Sequence, residues 1–137
     1  MCKNLWPDIK QLTTETPLTI LKQQAEYLER STEGKIVGCV ETSEGSNYEY
    51  KRDLLNAPKK TNNDLCHQLF ITVPSLGDVR FLLVSLLQNP IQPFPCHLKD
   101  EINEKEYNSI ENNERFIAKL EEILKSEKIM ILLSNLL

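Results

Sequence analysis

Glycine, histidine and tryptophan are scarce in this chain, with four, two and one among 137 residues. The glycines stand at 34, 38, 45 and 77, in none of the spacings that cradle a phosphate, G-x-G-x-x-G or G-x-x-x-x-G-K-[ST]. Neither G-x-S-x-G nor H-E-x-x-H occurs, and two histidines leave few routes to a serine triad or a histidine-held metal. The four cysteines, at 2, 39, 66 and 96, form no C-x-x-C pair. There is no run of 18 apolar residues to cross a bilayer, and MCKNLWPDIK has no apolar core of a secretory signal. Positive charge is in deficit, 16 Lys+Arg against 20 Asp+Glu, which argues against nucleic acid or an anionic membrane as partner. The expectation is a cytoplasmic protein with reduced thiols, no cofactor and no catalytic constellation.

What is present suffices for one core. The chain is 40% hydrophobic and 26% charged, which suits a single globular domain over residues 1–137. Residues 1–15 carry Leu5, Trp6, Ile9 and Leu12 and read as an arm docked on the body. Thr16 and Pro17 open a helix at about 17–32, because threonine caps well and proline loses nothing at the first helical position. Leu18, Leu21, Ala25 and Leu28 form its apolar stripe, and Gly34 is its expected stop.

The period then changes. Residues 35–42 are short and β-branched, 43–47 are a turn cluster, and 48–52 (YEYKR) alternate as an edge strand does. Residues 53–64 read as a polar loop. Residues 65–73 and 79–88 read as an antiparallel hairpin around Pro74–Asp78, the second strand apolar on both faces. The proline-dense 89–95 excludes helix, with a short edge strand expected near Phe94–Leu98. Residues 99–112 read as a second polar loop, with a helical turn at Glu104–Tyr107. Asn113 is expected to cap a helix striped by Phe116, Ile117, Leu120, Ile123 and Leu124. Ser126 is expected to cap a last helix at 127–136. The order of elements implies an α+β fold: an N-terminal helix, an antiparallel sheet of 3–5 strands, and C-terminal helices packed on it.

Chemistry is thinly signalled. Both histidines follow cysteines, as Cys66-His67 and Cys96-His97, and this quartet is the candidate for a metal or small-ligand site. Neighbours on a strand point to opposite faces, so each pair can offer only one residue to a given face. The acids Asp100, Glu101, Glu104, Glu106, Glu111 and Glu114 read as a hydrated surface that a basic partner would meet. Lys51-Arg52 and Lys59-Lys60, near Tyr48 and Tyr50, are too sparse for a nucleic-acid surface on an acidic chain. Apolar surplus at Val79–Leu87 and Ile129–Leu137 predicts a protein partner or a homo-oligomer, with Ile129, Leu132, Leu133 and Leu136 as the contact residues.

Asn4-Leu5-Trp6-Pro7, followed by Thr16-Pro17 and Ile20-Leu21 through Gln24-Ala25, resembles the start of a group of small uncharacterised bacterial proteins sharing a TP-x-x-IL-x-x-QA helix. The resemblance implies a bacterial cytoplasmic protein and brings no catalytic residue with it. The expectation from the chain as a whole is a small interaction module, immunity- or antitoxin-like in one version. The other reading is a ligand or metal site on the Cys–His quartet.

Overall fold

A computed structural model of the chain describes residues 2–9, 15–44 and 64–137. Its elements run α1 (Pro17–Ser31), β1 (Val37–Glu44), β2 (Leu65–Val73), β3 (Val79–Gln88), β4 (Cys96–Asp100), β5 (Lys105–Ile110), α2 (Asn113–Leu124) and α3 (Glu127–Leu136). The strands form one sheet in the order β1-β2-β3-β4-β5, every neighbour antiparallel. This is the α+β arrangement that the segregated sequence pattern implies.

The register sorts the strand residues onto two faces. Val40, His67, Leu69, Ile71, Val84, Leu86 and Leu98 share the face on which the core forms. Leu21 and Ala25 of α1, Phe116, Leu120 and Ile123 of α2, and Ile129 of α3 close that core from the helical side. A bulge in β3 opposite Leu69 and Phe70 leaves Leu83 as an extra residue, so that Leu83 and Val84 are both buried in the core. That bulge, with Leu82 and Leu87 on the opposite face, explains the nearly unbroken apolar run of β3.

Local chemistry sets the helix starts. The Thr16 hydroxyl accepts the Thr19 N–H, and the Thr19 hydroxyl accepts the Thr16 N–H at 2.8 Å, a reciprocal capping box. The helix stops at Thr32, whose hydroxyl bridges the Leu28 carbonyl and both backbone groups of Ile36, and Gly34 turns the chain at φ +82. The cap of α2 is Asn112, accepting the Arg115 N–H at 2.8 Å, one residue earlier than expected. Ser126 holds the N-cap position of α3, but its hydroxyl accepts from Asn103 Nδ2 instead of from its own helix.

Four expectations need correction. Residues 99–112 are not a loop: they hold the end of β4 and all of β5, with no helical turn at Glu104–Tyr107. Only Ile110 is buried and Tyr107 half-buried in β5, so no apolar alternation marked it. The strand near Phe94–Leu98 is β4, and it is internal, flanked by β3 and β5. Asp100 is not hydrated. It is buried, accepting the Ile102 and Asn103 N–H groups on Oδ1 and Asn103 Nδ2 on Oδ2, which closes the β4–β5 turn. Nor does the described part of the arm dock on the body: Leu5, Trp6 and Ile9 are 76%, 78% and 60% exposed. The strand expected at 48–52, the loop expected at 53–64 except for Asp64, and the two basic clusters lie outside the described residues.

Candidate interaction surface

The Cys–His quartet is divided by the sheet. Register puts His67 on the helix-covered face and Cys66 on the open one. It puts His97 on the open face, opposite Leu87, and Cys96 on the covered one. Cys66 and His97 therefore flank Leu87 from two different strands, and Cys66 packs with Leu87 in a small buried cluster. His67 and Cys96 likewise have β3 between them. Among the described residues no three His, Cys, Asp or Glu side chains gather as a metal site would require.

Each member has its own local role. His67 is 1% exposed, and its Nδ1 shares a 2.7 Å hydrogen bond with the Thr42 hydroxyl. Burial, helped by the Lys22 ammonium, lowers its pKa to about 4, so the ring is neutral at pH 7. Cys96 is buried and its pKa is pushed up to about 12, which keeps it a thiol and a poor nucleophile. His97 Nδ1 accepts the Ser109 N–H at 3.1 Å, where β5 bulges and Ser109 takes φ +58.

The open face of the sheet is polar and self-paired. Gln68 Nε2 donates to the Ser85 hydroxyl at 3.2 Å, and that hydroxyl donates to Glu101 Oε2 at 2.6 Å. Lys99 meets the other carboxylate oxygen of Glu101 at 3.3 Å. Arg80 lies 3.9 Å over the Phe70 ring and pairs with Glu41 at 2.9 Å. At the end of the sheet is a cleft of about 390 Å³ lined by Asp64, Gln88, Asn89, Phe94 and His97, among others. Its Asn89 side chain is engaged within the protein, Nδ2 donating to Asp64 and Oδ1 accepting the N–H groups of Ile91 and Gln92, whereas the buried Gln88 Oε1 has no hydrogen-bond partner.

The helical layer is different. Two adjoining clefts open between its helices. One, of about 360 Å³, separates α1 from α2 and is lined by Ile20, Ile117, Leu120 and Leu124, with Gln24, Glu121 and Lys125 at its rim. The other, of about 190 Å³, lies among α1, α3 and the sheet, with Ala25, Leu28, Leu69, Leu83, Ile129 and Leu133 in its walls. Gln24 and Leu124 belong to both. Ile117 in the first and Tyr27 in the second are exposed, and on α3 and at its end Met130, Ile131 and Leu137 are exposed as well.

The four contact residues expected on the last helix need a matching correction. Ile129 is buried, and Leu132, Leu133 and Leu136 are partly buried against the core. At positions i, i+3, i+4 and i+7 they form the inward stripe of α3. The outward residues of the same apolar run are Met130 and Ile131. The pattern identified the helix; only the packing partner of each side chain distinguishes its faces.

No helix among the described residues is long and apolar enough to cross a membrane. No protein-family model matches the chain, and no curated protein and no solved structure matches it.

Proposed function

We propose that this protein is an interaction module whose contact face is the outer side of its helical layer. One observation carries the reading: the apolar clefts between the helices are open, exposed Ile117 and Tyr27 line them, and the same helical layer carries exposed Met130 and Ile131 on α3. Exposed apolar groups gathered around a groove are what a protein partner covers. The polar side of the sheet offers a partner less, because Arg80, Glu41, Lys99 and Glu101 are already paired.

The reading is tested by light scattering and native mass spectrometry of the wild type and an Ile117→Glu, Met130→Glu double variant. Both side chains are exposed, so the fold survives their replacement. The wild type is expected to associate and the double variant to be a monomer that keeps the wild-type circular dichroism spectrum and a cooperative melt. A wild type that is monomeric at all concentrations and joins no protein partner would overturn it.

A further inference from the structure

We propose that the cleft at the end of the sheet binds a small organic cation, an ammonium or amidinium group carried on an apolar body. The inference is independent of the helical layer being a contact face.

The cleft has the size and make-up of a ligand site. At about 390 Å³ it falls within the range of small-molecule sites, roughly 300–1,000 Å³. Strand β3 ends at Gln88, so the cleft reaches round the end of the sheet. Leu87 lines it from the open face and Gln88 from the helix-covered one. Ile91, Phe94 and Pro95 supply apolar wall, and Phe94 offers a ring for the ligand body to pack on. Apolar walls with a few convergent polar groups are what such sites are made of. Of the cysteine–histidine quartet, His97 alone stands among the described lining residues.

Gln88 carries the argument. It is 7% exposed, and its Oε1 has no hydrogen-bond partner. The next amide along the chain is the contrast, since Asn89 is held by Asp64 and by the N–H groups of Ile91 and Gln92. A buried acceptor without a donor is costly, and native folds keep few of them. Neither cleft of the helical layer has such an atom among its described lining residues. A ligand that brings an N–H to Oε1 recovers that cost when it binds, so the site favours donors over acceptors.

Charge selects a cation. Asp64 adds a carboxylate to the same lining, and no lysine or arginine stands among the described lining residues. Asn89 Nδ2 meets this carboxylate at 3.3 Å, but a carboxylate offers about four lone-pair directions and accepts further donors. His97 brings no positive charge in this state: its Nδ1 accepts the Ser109 N–H, so that nitrogen carries no proton. A protonated amine or amidine therefore meets two acceptors and no described like charge. An anion, a phosphate included, meets the Asp64 carboxylate and no described cation.

The test is a series of similar shape and different charge, followed by the amide chemical shifts of the isotope-labelled full-length protein at neutral pH. Benzylamine and benzamidine are the cations, benzyl alcohol the neutral analogue and benzoate the anion. Both cations are expected to move the side-chain amide of Gln88 and the backbone amides of Asn89 and His97, saturably, with dissociation constants in the millimolar range. Benzyl alcohol should bind at least tenfold more weakly, and benzoate should move none of these signals. Gln88→Leu should weaken the cations about tenfold. It should also raise the melting temperature of the unliganded protein, because it removes the unpaired acceptor. Ile91→Lys places a positive charge at a lining position that is 81% exposed, so the fold survives it. That variant should weaken both cations and leave benzyl alcohol unchanged. Equal binding of cation, alcohol and anion would overturn the inference by showing an apolar slot without selection. Cation binding indifferent to Gln88→Leu or to Ile91→Lys would place the cations elsewhere and overturn it as well. A lower melting temperature in Gln88→Leu would show the amide paired within the fold, and the absence of any saturable shift would show no site; either outcome sinks the proposal.

Discussion

Gly38 is where helix and sheet come closest. A Cβ built there lies 2.6 Å from Ala25 Cα and 2.9 Å from the Ala25 carbonyl oxygen, so backbone must yield to admit a methyl group. Gly38→Ala is expected to push α1 off β1 at a cost of about 1–3 kcal/mol, read as a lower urea midpoint with an unchanged slope. His67 yields the pH dependence. Folded, it holds its proton only below about 4, whereas unfolded it takes one near 6.5. Between those values the unfolded chain binds the extra proton. The stability tied to the neutral ring is therefore complete above pH 6.5 and is lost as pH falls toward 4, by on the order of 3 kcal/mol. Urea titrations at successive pH values should show that slope in the wild type, reduced by nearly one proton in His67→Gln. The cysteine–histidine neighbours were visible in the sequence, and so was their division between two faces. Invisible were the partners that explain them: Thr42 comes from 25 positions upstream, and Ser109 turns its N–H only because β5 bulges.

Among elements, legibility followed the strength of local signals. Helix α1 was readable to within a residue, because Thr16, Pro17 and an apolar stripe agree. The β2–β3 hairpin was readable from its β-branched runs and proline turn. Strand β5 was not: an edge strand burying little more than Ile110 carries no alternating pattern, and its residues KEYNSI read as loop. The arm misled for the opposite reason. Its apolar content showed that it wants cover but not which surface supplies it. Helix α3 shows the same limit, since IMILL announces burial without saying which side chains are buried. Ile129→Ala is expected to destabilise by about 2–4 kcal/mol. Ile131→Ala, at an exposed position, should stay within about 0.5 kcal/mol. Thermal melts of the two variants beside the wild type, each made in the monomeric Ile117→Glu, Met130→Glu background, distinguish them, and equal losses would mean that α3 packs through another face.

At the scale of the whole molecule, the segregation of helices from strands was enough to assign the α+β class and the antiparallel sheet. The identity of the exposed surface was not available, because it depends on which apolar residues are left over after the core is filled. Strand order in this sheet equals chain order, and that has a kinetic consequence. Residues 74–78, 89–95 and 101–104 are the short connections that close β2–β3, β3–β4 and β4–β5. Bringing β1 to β2 requires closing residues 45–64 instead, at roughly 1 kcal/mol more chain entropy than the five-residue turn. The sheet is therefore expected to nucleate at the β2–β3 hairpin and to add β1 late. In chevron measurements Leu69→Ala and Val84→Ala should slow folding, whereas Val40→Ala should chiefly speed unfolding. Since α1 packs on β1, the first helix of the chain would be among the last parts to reach its place.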